Sequence, residues 1–210
     1  MTPTKNLFSL AMAALFLAMA TPTVLATPVP IAPGNTGTSF TPTTSAFTGT
    51  LLGTYSMTFS NSSENGTVYE DVYDDSGLLD FYYQIANNAS SSDSLSRVTV
   101  GNFTGYTTAV DYLLNGGDAP SNATRQAVGD SVGFNFFTNI APGTTTNWLE
   151  VSTNATATDS NGTVAAIDSL PSVVVNAIEP AEVPEPSSFV LLGAGLLAMA
   201  GAARRKFSLR

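Results

Sequence analysis

Five carboxylates fall between residues 70 and 80: Glu70, Asp71, Asp74, Asp75 and Asp80. Hard oxygen donors at this density are what Ca²⁺ takes, and Asp71, Asp74 and Asp75 are the candidate ligands. The spacing is not that of an EF-hand loop, because no Gly stands at the sixth position and no Glu at the twelfth. The alternative is a solvated hairpin in which an Asp caps a turn. Paired acids also serve glycoside hydrolysis, which needs two carboxyl groups about 5–10 Å apart. Sixteen acidic residues make some such pair inevitable in a small domain, so their presence identifies none. No catalytic residue is assigned, no cofactor beyond the Ca²⁺ candidate is expected, and the chain reads as non-enzymatic.

Other chemistries are closed by composition. The chain has no histidine and no cysteine. Ser-His-Asp and Cys-His catalysis are therefore impossible, and disulfides and typical zinc sites are excluded with them. Tyr69, Tyr73, Tyr82, Phe137 and Trp148 are candidates for stacking on sugar rings. The same rings would equally complete a second hydrophobic layer. Asn-x-Ser/Thr sequons stand at Asn61, Asn65, Asn88, Asn102, Asn122, Asn154 and Asn161, a number that follows largely from the Asn, Ser and Thr content.

Charge is distributed unevenly. All sixteen acidic residues lie between Thr27 and Pro186, where only Arg97 and Arg125 oppose them, a net charge of −14. Nucleic-acid phosphate would be repelled, so nucleic acid is excluded as a partner. Such a domain is soluble and gathers cations.

Strands must position these side chains. Short runs of alternating apolar and polar residues begin at Thr48. Leu51, Gly53, Tyr55, Met57 and Phe59 share one face; Val68 and Val72 oppose Tyr69, Asp71 and Tyr73. Asp74-Asp75-Ser76-Gly77 reads as a turn. Leu79, Phe81, Tyr83 and Ile85 form the strongest apolar face, with Asp80, Tyr82 and Gln84 opposite. Further strands are expected over 95–100, 105–114, 131–138, 146–155, 163–168 and 172–178, and residues 115–127 read as a long loop. About nine short strands predict an all-β fold, an antiparallel β-sandwich over residues 48–178, with a closed barrel as the alternative. Residues 27–47, rich in Thr and Pro, read as a linker or irregular leading segment.

The two ends carry processing signals. Lys5 followed by the apolar run Leu7–Ala20 and the Val24-Leu25-Ala26 site predicts a signal peptide over residues 1–26, cleaved after Ala26; an uncleaved N-terminal helix is the alternative. Residues 179–186 form a linker ending in Val183-Pro184-Glu185-Pro186, kept extended by its prolines. An uncharged apolar run fills residues 187–203, predicted as a transmembrane helix at the short end for spanning a bilayer. The basic residues Arg204, Arg205 and Lys206 follow, and residues 204–210 are expected to remain cytoplasmic.

Pro184-Glu185-Pro186, the apolar helix and the basic cluster, in that order, resemble the PEP-CTERM sorting signal of Gram-negative envelopes. The resemblance covers about an eighth of the chain and implies processing by an exosortase, a membrane transpeptidase acting near Pro-Glu-Pro. It also implies inner-membrane anchoring before processing, delivery to the envelope or outside the cell, and association with exopolysaccharide or biofilm matrix. A plain C-terminal membrane anchor is the alternative reading. A carbohydrate-binding sandwich, held at the outer side of the inner membrane, is the rival for the body.

Overall fold

Among the described residues, the alternation of side chains resolves into eleven strands. They are β1 (Val29–Pro30), β2 (Thr50–Ser60), β3 (Asn65–Asp75), β4 (Leu78–Asn87), β5 (Leu95–Gly101), β6 (Thr108–Leu113), β7 (Asn122–Arg125), β8 (Ser131–Ile140), β9 (Trp148–Thr153), β10 (Thr158–Ile167) and β11 (Val173–Pro180). The computed structural model describes residues 27–39, 46–167, 172–181 and 199. The signal-peptide site at Val24 and Ala26, the Val183–Pro186 motif and the Arg204, Arg205 and Lys206 cluster lie outside the described residues. Among the described residues no helix is long and apolar enough to cross a membrane.

Two antiparallel sheets hold these strands. One has the order β1-β6-β9-β4-β3-β2, and the other β11-β10-β5-β8-β7. Their inner faces share one core, in which Val68, Val72, Phe81, Ile85, Leu149 and Val151 of the first sheet meet Val98, Val100, Val132, Phe134 and Val164 of the second. Two sheets with separate edges make a sandwich-like fold, not a closed barrel.

Three local features differ from the alternation read in the sequence. Leu52 is an extra residue in β2, so Leu51 pairs with Tyr73 on the outer face while Gly53 pairs with Val72 on the inner one. Such a bulge reverses the faces of the residues on either side of it, and Leu51 leaves the face it was expected to share with Tyr55. Residues 115–127 contain β7, whose single apolar side chain, Ala123, gives no periodic signal. Residues 27–39 add β1 and bury Ile31, and Thr38 pairs with Ala123.

The β3–β4 hairpin turns on Ser76 and Gly77, both at positive φ (59° and 90°). Two consecutive left-handed residues define a type I′ turn, whose twist matches the strands it joins. Asp74 Oδ1 accepts the Gly77 amide at 2.6 Å and caps it.

Charged side chains close the two open seams of the sandwich. On one side Arg125, 4% exposed, donates to the carbonyls of Ile31, Phe103, Tyr106 and Gly129 at 2.8–3.2 Å, tying β7 to the leading segment and the β5–β6 loop. On the other, Glu70 points inward from β3 and accepts the Ile178 amide of β11 at 2.9 Å.

Candidate functional site

Strand parity assembles a polar site on the outer face of the first sheet. Tyr82 of β4 stands between Asp71 of β3 and Glu150 of β9, and Glu150 pairs onward with Asp111 of β6. In the adjacent row Asp80 pairs with Tyr73 and Ser152, and Ser152 with Ala109. Four strands thus bring together carboxylates distant in sequence.

A cavity of about 400 Å³ lies over this face. Asp80, Tyr82, Glu150 and Ser152 line it from the sheet. Thr27, Pro28 and Ala46 of the leading segment and Thr48 just after it line the cavity as well, with Leu78 and Leu113 adding apolar surface. The Tyr82 hydroxyl donates to Glu150 Oε1 at 3.1 Å, and the Ser152 hydroxyl donates to the same oxygen at 2.9 Å.

Loss of water sets the protonation of these acids. Burial pushes Glu150 up to about 7; the Ser152 hydroxyl opposes this, and the neighbouring Asp80 charge adds to it. Burial likewise raises Asp80 to about 6, again opposed by Ser152. Asp111 rises to about 6 through burial, against the Tyr112 amide that its Oδ1 accepts at 2.8 Å. Tyr82 is held far above its usual range by burial and the Glu150 charge, so it stays a hydroxyl donor. At neutral pH the cavity therefore offers carboxyl groups able both to donate and to accept hydrogen bonds. That donor and acceptor set suits a hydroxyl-rich ligand. Two carboxyl groups of raised pKa are also what general acid catalysis draws on.

Of the five acids expected together, only Asp75 and Asp80 meet: both line the cavity, and the Asp75 charge adds to the rise of Asp80. Glu70 is fully buried in the core, Asp71 and Asp80 face outward from β3 and β4, and Asp74 and Asp75 sit at the hairpin. There Asp74 caps Gly77, and Asp75 Oδ1 accepts the Ser76 hydroxyl at 3.1 Å. Among the described residues no group of three or more such side chains is placed to hold a metal ion. Glu150 and Asp111, the acids that join Asp80, escaped the sequence reading because 70 residues separate Asp80 from Glu150.

The aromatic candidates divide as well. Tyr73, Tyr82 and Trp148 cluster on the outer face of the first sheet, but Phe47 covers them. Its ring stacks on Tyr73 at 5.0 Å and meets Tyr82 and Trp148 edge-on at 4.7 and 5.4 Å. These rings form a second apolar layer. Tyr69 stays partly open, and Phe137 stands 89% exposed on β8 of the other sheet. Several sequon asparagines serve the backbone: Asn61 Oδ1 caps Ser63 and Glu64, and Asn154 Oδ1 accepts the Thr107 amide.

The last strand is fastened at its end. The Ala181 amide donates to Ala157 O at 2.9 Å, and the Tyr106 hydroxyl donates to Ala181 O. Directly after it, residues 182–206 match the family model described as the PEP-CTERM protein-sorting motif. The chain therefore carries a PEP-CTERM motif, and the matched span includes Val183–Pro186 and Arg204, Arg205 and Lys206. This motif implies exosortase-dependent sorting of an exported protein to the cell envelope. No curated protein and no solved structure matches the chain.

Proposed function

We propose that this is a non-enzymatic envelope or extracellular-matrix protein, anchored by its C-terminal segment until an exosortase cuts near Pro184-Glu185-Pro186 and passes the β domain onward. The supporting observation is the position of the boundary. The last described strand and the bonds that fix it end at Ala181, and the matched motif begins at residue 182. Cutting after that point removes no described strand and no described core residue. Absence of histidine and cysteine favours a structural or binding role for the body. A place in exopolysaccharide or biofilm matrix fits a domain of this acidity, which stays soluble and gathers cations.

Intact-mass measurement of the membrane-bound and released forms tests this reading. A released form ending near Pro184–Pro186, beside a membrane form that retains Arg210, is the expected result. A released form that still carries residues 187–210 overturns it.

The cavity beneath Thr48 supports a second reading, a carbohydrate-binding module. Its hydroxyl and carboxyl lining suits polyols, whereas Phe47 covers the rings of Tyr73, Tyr82 and Trp148. A glycan array, run with and without a chelator and followed by product analysis for hydrolysis, checks binding, Ca²⁺ dependence and non-enzymatic character together. Equal signal across all glycans removes this reading.

A further inference from the structure

We infer that β2 is a docking edge for β2 of a second copy of this chain. The unpaired amides and carbonyls of an edge strand are a template for another strand, and folded proteins normally blunt such edges. Two of the four sheet edges here are blunted, and a third is blunted at one end. The first sheet ends on one side at β1, two residues including Pro30. In the second sheet β7 is covered by Thr38, which exchanges two backbone hydrogen bonds with Ala123. At the opposite edge β11 is blunted at its end, where the Ile178 amide goes to Glu70 and Glu179 and Pro180 follow, while Val173–Ala177 is uncharged and Val174 is 55% exposed.

The fourth edge is left open. β2 runs eleven residues, Thr50–Ser60, with no charge and no proline. Among the described residues its backbone pairs with β3 alone. Its bulge at Leu52 affects only the start, and Gly53–Ser60 pairs with β3 residues Val72–Asn65 in unbroken register. Leu51, Leu52 and Tyr55 are 48%, 55% and 39% exposed, so apolar surface accompanies the free backbone groups.

Charge selects the occupant. Two copies of a domain with net charge −14 repel each other over most approaches. Pairing β2 with β2 places neutral strand against neutral strand. The acidic β3 strands then stand three strand spacings apart, roughly 14 Å, beyond the Debye length of about 8 Å at physiological ionic strength. The antiparallel pair is isologous and joins two six-stranded sheets into one. Pairing through β2 uses the longest open edge of each copy.

The absence of cysteine makes the test clean, since an introduced thiol is the only one in the chain. Thr54, Ser56 and Thr58 face outward, and all three are exposed. Full-length chains carrying T54C, S56C or T58C are treated in membranes with a short bis-maleimide. V128C, on an exposed loop, is the control. Covalent dimer at one or more β2 positions, at least tenfold above V128C, is expected. Adding Thr54→Lys and Ser56→Lys to T58C abolishes it without lowering the melting temperature, because both side chains are exposed. Cross-linking no greater than that of V128C overturns the inference, as does cross-linking that survives the two lysines. Monomers whose β2 amides resist hydrogen exchange also overturn it, since another segment of the same chain would then cover the edge.

Discussion

Glu70 Oε2 accepts the Ile178 amide at 2.9 Å, so a carboxylate from one sheet holds the edge strand of the other. Glu70 is fully buried, and burial pushes its pKa up to about 7 despite this bond. A carboxyl group raised above its unfolded value stabilises the fold most when protonated. Its contribution is fully present below about 4.5 and is lost as pH rises through about 7. Asp80, Asp111 and Glu150 act in the same direction. The melting temperature should therefore rise as pH falls from 8 to 5. Glu70→Gln keeps an acceptor for Ile178 without the charge. Thermal scans should show it more stable than the parent at pH 8, by on the order of 1–2 kcal/mol, and about equal at pH 5. A parent protein that loses stability over this acid range would contradict the argument.

Arg125 fastens the opposite seam through four carbonyls. A lysine has neither the planar fork nor enough donors for this set. Arg125→Lys should cost about 2–4 kcal/mol, because buried carbonyls lose their partners. Urea unfolding measures the loss. Limited proteolysis should cut earliest in residues 27–39, which Arg125 holds through Ile31.

The sandwich was legible where large apolar residues alternate, as in β4 and β8, because one buried face writes a period of two into the sequence. It was illegible in β7, where the inward positions hold Ala123 and Arg125, and at Leu52, where one extra residue switches the face. The acidic site was misread for a related reason. Adjacent strand residues point to opposite faces, so Glu70 and Asp71 cannot share a site, whereas register brings Asp80 and Asp111 to opposite sides of β9. Register depends on turns and bulges, and no local pattern in the sequence reports it. The C-terminal motif was legible because its order of proline, apolar and basic residues is itself the signal.

Phe47 covers Tyr73, Tyr82 and Trp148, and Trp148 is the single tryptophan. Phe47→Ala removes three ring contacts, a loss of about 1–3 kcal/mol. Trp148 should become wetter, and its fluorescence emission should shift to longer wavelength in the folded state. Unchanged emission would mean that other residues shield the indole.

Ser152 is the lever on the cavity acids, because its hydroxyl favours the charged forms of both Asp80 and Glu150. Ser152→Ala should therefore raise both pKa values together, from about 6 and about 7, while Glu70 in the opposite face of the sheet stays in place. Tyr82→Phe removes a donor from Glu150 alone, since Tyr82 bonds Oε1 of that residue. Carbon-detected NMR titration of the carboxyl groups separates the two variants. Two resonances should move to higher pH in Ser152→Ala, and Glu150 should move more than Asp80 in Tyr82→Phe. The stability penalty follows the same sign: each variant should lose more stability than the parent between pH 6 and 8. If Ser152→Ala left both titrations unchanged, the hydroxyl would not couple the pair, and Asp80 and Glu150 would have to be treated as independent groups.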